Sequence, residues 1–223
     1  MLEFNDLTLG FTKGPVILDC ASGRFDRGQI NLLIGVNGIG KTTFLRALSG
    51  DCTHIISGEV IVDGTSISSV QDYNRMVTSS FSEDDFISER FSGREFLQSL
   101  VLLRNSEDRS ALLIEALGLE SFVDKRIEKY SFGMRQLLRV AGACQSSARV
   151  LILDEPFNGL DVVKCHLVSK FLDSLARSGF VVIVSSHQFL SLSKYPCRNV
   201  FMDTSGLTWG GDDTRPMDYF NLD

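Results

Sequence analysis

Residues 1–9 alternate apolar and polar side chains, the period of a half-buried strand. Strands are also expected at 29–35 and at 58–64 (GEVIVDG), the latter closed by glycines, and these three read as an antiparallel edge beside a core. The runs 148–154 (ARVLILD) and 180–185 (FVVIVS) are almost wholly apolar, which suits parallel strands covered on both faces. Residues 198–203 add a further strand. Between 93 and 147 the period becomes helical, with Phe96, Leu97, Leu100 and Val101, then Leu112, Leu113, Ala116 and Leu117, at i, i+4 spacing. That block reads as a helical insertion, bounded at about 84–147. No internal repeat or low-complexity tract is found, and 212–223 carries no legible signal.

Composition narrows the picture without naming a function. A chain of 223 residues with 43% apolar content is long enough to bury a sizeable core. The formal net charge is −6 and no Lys/Arg run exceeds two, so a phosphate backbone finds no basic footprint and nucleic acid is excluded as an expected partner. Cys20, Cys52, Cys144, Cys165 and Cys197 are odd in number, far apart and free of C-x-x-C spacing, which suggests reduced thiols rather than disulfides or zinc. No apolar stretch approaches the roughly 18–20 residues that span a bilayer, and 1–9 reads as a strand rather than a signal peptide.

The sharpest local pattern is GVNGIGKTT, residues 35–43, directly after an apolar strand. Gly35, four residues, Gly40, Lys41 and Thr42 have the spacing of a phosphate-binding P-loop, in which glycines let backbone N–H groups curl around phosphate oxygens. A helix beginning near Lys41 adds its positive dipole end. Lys41 is expected to reach the β- and γ-phosphates, Thr42 to ligate Mg²⁺ and Thr43 to touch the α-phosphate, with Gly35, Asn37, Gly38 and Gly40 shaping the cradle. A glycine-rich strand-to-helix turn without ligand is the plain alternative. Leu151-Ile152-Leu153-Asp154-Glu155-Pro156 then ends a buried strand on two adjacent carboxylates, a costly place for charge unless a cation and a reaction use it. Asp154 would hold Mg²⁺, and Glu155 would polarise the water that attacks the γ-phosphate. Acidic capping of the following turn is the alternative. The fold class expected is α/β: a RecA-like P-loop NTPase core with a mostly parallel sheet, an antiparallel β edge subdomain and a helical subdomain.

The ordered set resembles the ATP-binding subunit of ABC transporters over residues 1–203. The distinguishing signature, normally Leu-Ser-Gly-Gly-Gln, is here Tyr130-Ser131-Phe132-Gly133-Met134 followed by Arg135 and Gln136, just ahead of the carboxylate strand. The resemblance implies that Ser131 and Gly133 cradle the γ-phosphate of ATP held by a second subunit. Phe132 and Met134 depart from the pattern, and Met134 removes a polar side chain available to ribose or phosphate. Asn158-Gly159-Leu160-Asp161 is similar to the family's D-loop, which implies that Asp161 crosses to the partner. Ser185-Ser186-His187 is similar to its switch region, which implies that His187 lies near the γ-phosphate. Phe11 is the candidate for stacking on adenine, or equally a core residue of the first hairpin. Counting back from the stretch Ser92-Gly93-Arg94-Glu95-Phe96-Leu97, the family's Q-loop glutamine falls on Glu83, a carboxylate that would meet Mg²⁺ or a water. Phe86, Ile87 and Phe91 are apolar among acidic neighbours, and either dock the membrane subunit or pack inside the helical subdomain.

The resemblance therefore implies a single ATP-binding domain over 1–223, an ATPase with ATP and Mg²⁺. Its implied partners are a second ATP-binding subunit, as homodimer or heterodimer, and a separate integral-membrane permease. It implies a cytoplasmic chain, peripheral on the cytoplasmic face of the cell membrane, with no span of its own. The signature form and the 93–97 stretch look exporter-like. Three other readings stay open: a soluble ABC-type ATPase outside transport, a P-loop small-molecule kinase with Lys125, Arg126 and Lys129 as a lid, and a module that binds ATP without turning it over. A GTPase is disfavoured because no N-K-x-D tetrapeptide occurs.

Overall fold

The apolar strands alternate their side chains between two separate cores, and this organises the molecule. The computed structural model describes residues 1–11, 14–67, 69–81, 88–187 and 189–210. In chain order its strands and α-helices are β1 (Leu2–Gly10), β2 (Val16–Phe25), β3 (Ile30–Ile34), α1 (Lys41–Leu48), β4 (Ile55–Val62), β5 (Thr65–Ser66), α2 (Val70–Met76), β6 (Val77–Ser80), α3 (Gly93–Arg104), α4 (Ser110–Leu117), α5 (Phe132–Cys144), β7 (Val150–Asp154), α6 (Val162–Arg177), β8 (Val181–Ser185), β9 (Cys197–Asp203) and β10 (Gly206–Trp209). The strands make a four-stranded antiparallel sheet, β2-β1-β4-β5, and a six-stranded sheet, β10-β9-β3-β8-β7-β6. All neighbours in the larger sheet run parallel except β10 on β9.

Successive strand residues point to opposite faces, and the two faces of the larger sheet feed different cores. Leu32, Leu151, Leu153, Val182 and Val184 join residues of α4, α5 and α6 in one cluster. Leu33, Val150, Ile152, Val181 and Ile183 join α1 and the smaller sheet in the other, with Phe4, Phe25, Phe44 and Leu45 fully buried. Both faces being covered is why these strands read as continuous apolar runs.

One sequence expectation needs correction. Residues 29–35 do not belong to the antiparallel edge: β3 sits inside the parallel sheet between β8 and β9, with all five residues buried. Its one polar member, Asn31, is accommodated because Nδ2 donates to the Asp26 carbonyl at 2.9 Å and the Val182 carbonyl at 3.1 Å. The second strand of the first hairpin was expected without bounds, and it is β2. That strand lies at an edge, only Leu18 and Phe25 are buried in it, and shifts of register against β1 blur its alternation. The helical block falls where expected, as α3, α4 and α5. Ser92 and Glu95 start α3 with a reciprocal capping box, Ser92 Oγ accepting from Glu95 N at 3.2 Å and Glu95 Oε2 from Ser92 N at 2.7 Å, a device worth about 1 kcal/mol. All five cysteines are free thiols, and burial pushes Cys144 up to about 12.

Candidate functional site

Because β3, β7 and β8 run parallel, their carboxyl ends emerge on one edge, the place where open α/β sheets bind ligands. Register lines them up, Leu33 opposite Ser185 and Ser185 opposite Asp154. The glycine turn after β3 is shaped by close packing. A Cβ on Gly35 would stand 2.5 Å from the Met202 carbonyl oxygen, and Gly40 has φ +112° with no room for a side chain beside Ile17. Lys41 opens α1 and is 7% exposed. Its Nζ donates to the carbonyls of Gly35 at 2.8 Å and Val36 at 3.1 Å, so the ammonium already lies across the mouth of the turn. Asn37 and Gly38 are exposed at the tip, and Thr43 is half-buried on α1.

Thr42 Oγ1 donates to Asp154 Oδ2 at 2.7 Å, joining the two strand ends across 112 residues of sequence. Asp154 is buried, and its other oxygen accepts from the Ser185 hydroxyl. Two hydroxyl donors are what make a buried carboxylate tolerable there. Glu155, next in the chain, adopts φ +49°, a left-handed conformation that a non-glycine residue adopts at a cost of roughly 1–2 kcal/mol. Its N–H is held by Ser185, by the carbonyl at 3.2 Å and the hydroxyl at 2.9 Å. Its Oε2 lies 2.9 Å from His187 Nδ1 and accepts from His187 N at 3.3 Å. Thus Lys41, Thr42, Asp154, Glu155 and His187 lie along one edge, and Ser185, which the sequence reading did not single out, bonds to both Asp154 and Glu155.

The residues present fit a Mg²⁺ nucleotide. Thr42 and Asp154 offer hard oxygens suited to Mg²⁺, and among the described residues no group of three or more His, Cys, Asp or Glu gathers. An ion here would take its remaining ligands from phosphate and water, the usual Mg²⁺ arrangement.

The other predicted positions are separate. Ser131 caps α5, its Oγ accepting from Met134 N at 3.3 Å, while the Met134 thioether accepts from Ser131 N at 3.4 Å. Gly133 is buried against the Gly159 carbonyl. Asp161 caps its own α6, Oδ1 accepting from Lys164 N at 2.9 Å and Oδ2 lying 3.2 Å from Lys164 Nζ. Those contacts, the backbone N–H of Lys164 first, hold its carboxyl below the usual range. Phe11 is 45% exposed rather than a core residue, and packs edge-to-face on His54 at 4.8 Å between ring centroids. Nothing in the spacing pointed to His54. Glu83, Phe86 and Ile87 lie outside the described residues. Phe91 is 43% exposed and lines a cleft of about 450 Å³ with Phe81, Phe96, Leu100 and Leu103.

Fold and site together define a P-loop nucleoside triphosphatase. Residues 18–158 match the profile of the ABC transporter family, so the chain belongs to that family, whose ATP-binding subunits hydrolyse ATP to power transport. It is similar to the uncharacterized ABC transporter ATP-binding protein YhcH of Bacillus subtilis, 31% identical over 192 residues that cover 84% of this chain and 62% of that protein. The lantibiotic transport ATP-binding protein SrtF of Streptococcus pyogenes is 29% identical over 84% of this chain and 80% of its own length. The phosphonates import ATP-binding protein PhnC 2 of Nostoc sp. is 30% identical over 87% and 85%. A solved ATP-binding subunit of an ABC transporter superposes with a TM-score of 0.85 at 24% identity, covering 100% of this chain and 94% of that one, a likeness of fold.

Proposed function

We propose that this chain binds and hydrolyses ATP as one of two paired subunits, and that the pair drives a separate integral-membrane permease from the cytoplasmic face of the membrane. The observation that carries the reading is the Thr42–Asp154 bond at 2.7 Å with Glu155, the next residue, held 2.9 Å from His187. Thr42 and Asp154 would hold Mg²⁺, which when bound neutralises phosphate charge. Lys41 exchanges its two carbonyl partners for the β- and γ-phosphates. Glu155 takes the proton of the water whose oxygen attacks the γ-phosphorus, the bond to the bridging oxygen breaks, and ADP and phosphate leave. His187 orients the Glu155 carboxylate.

Pairing is supported by the exposed signature and D-loop. Ser131 and Asp161 face solvent beside Phe132 (56% exposed), Val162 (86%) and Val163 (70%), apolar surface of the kind an assembly covers. Each ATP would then touch Lys41 of one subunit and Ser131 with Gly133 of the other, so hydrolysis removes the bridge and shifts the pair toward open. The cleft at Phe91 and Leu103 supports permease docking on a chain in which, among the described residues, no helix is long and apolar enough to cross a membrane. We read residues 1–223 as one ATP-binding domain with its helical unit inserted at about 84–147. Export is our reading of the signature form and the 93–97 stretch; transport assays in vesicles of known orientation decide it against import.

The central test compares steady ATP hydrolysis by the purified chain with that of Glu155→Gln. The variant should lose at least about a hundredfold in kcat, retain nucleotide and run as a stable pair in ATP by light scattering. Equal rates would remove Glu155 from catalysis.

A further inference from the structure

The start of α5 is fastened to the loop behind Asp154 at three points. The Phe132 ring covers Gly159 so closely that a Cβ there would stand 2.2 Å from it, and a Cβ on Gly133 would stand 2.6 Å from the Gly159 carbonyl oxygen. One turn further along α5, Gln136 is 3% exposed and its Nε2 donates to the backbone carbonyl of Glu155 at 3.2 Å. Its Oε1 has no hydrogen-bond partner among the described residues. A buried carboxamide with half its capacity unused is an unfavourable way to fill a core. The feature it serves is the left-handed backbone of Glu155, whose N–H is held by Ser185 from β8 and whose carbonyl is held by Gln136 from α5.

We propose that Gln136 is a positioning residue that couples the ATP-contacting end of α5 to the Glu155 carboxylate. This rests on the paired-subunit reading above. Nucleotide gripped at Ser131 and Gly133 belongs to the facing subunit, whereas Glu155 acts on the nucleotide of its own P-loop. A shift of α5 on closure is transmitted by Gln136 to the peptide that aims Glu155, so occupancy of one nucleotide site sets turnover at the other. Such coupling needs a two-sided test rather than spatial connection alone.

The experiment uses the full chain carrying Gln136→Met, which keeps length and volume without the donor, and Gln136→Glu, which keeps shape and polarity but cannot donate when ionised. Both should lower kcat about tenfold or more, leave binding of a fluorescent ATP analogue within about twofold of wild type, and bring the Hill coefficient for ATP toward 1. In a Glu155→Gln background, single-turnover hydrolysis of radiolabelled ATP should show no further loss when Gln136→Met is added. Wild-type kcat in both variants, or the same fold-loss in both backgrounds, overturns the proposal. If Glu155→Gln itself turns over normally, the site reading fails and carries this with it. If Glu155→Gln is inactive while the Gln136 variants are not impaired, only the role of Gln136 fails.

Discussion

The imidazole of His187 lies 2.9 Å from the Glu155 carboxylate, and its side chain is about half exposed. It is placed to orient that carboxylate rather than to pack. His187→Ala should therefore lower kcat by about a hundredfold, the scale of one acid–base or orienting group, with ATP affinity and melting temperature little changed; initial-rate kinetics beside nucleotide titration check this. The places of Lys41, Thr42, Asp154, Glu155 and His187 at one sheet edge were legible because a P-loop and strand-end carboxylates set residue types at fixed spacings. Ser185 and Gln136 were not, since each meets Glu155 across 30 and 19 residues of chain and neither residue type marks its own role. Phe11 could not be assigned from sequence because its neighbour His54 comes from beyond α1, and only the fold brings the rings together.

Helix starts carry much of the local electrostatics. Glu95 at α3 and Asp161 at α6 each accept hydrogen bonds that hold them below the ordinary carboxylate range: the Ser92 backbone for Glu95 and the Lys164 backbone for Asp161. Folded values below unfolded ones mean that the unfolded chain binds protons more readily. The stability they add is present above about pH 4.5, the ordinary glutamate value, and is lost as pH falls through the folded values. Urea midpoints at pH 3 and pH 6 should differ less in a Glu95→Gln, Asp161→Asn double variant than in wild type. The helical block that holds α3 was visible in the sequence as a local period, whereas the placement of β3 was not. An apolar strand flanked by glycines shows that it is buried, but its neighbours β8 and β9 come from more than 140 residues downstream.

Across the whole molecule, the six-stranded sheet divides two cores, so adjacent residues of β7 test different halves of the fold. Ile152 is fully buried with α1 and the antiparallel sheet, and Leu153 is fully buried with the helices. Ile152→Ala and Leu153→Ala should each cost about 2–5 kcal/mol, measured as lower denaturant midpoints. A single cooperative transition in both would show that the halves unfold together. The layered plan was readable from the apolar runs, while the path of β2 was hidden by its place at an edge. The backbone twist at Glu155 sets stability against chemistry: glycine would adopt it freely, so the carboxylate is carried there at a cost in stability. A carboxylate carried in a strained peptide suits a working engine rather than a merely sturdy binding protein.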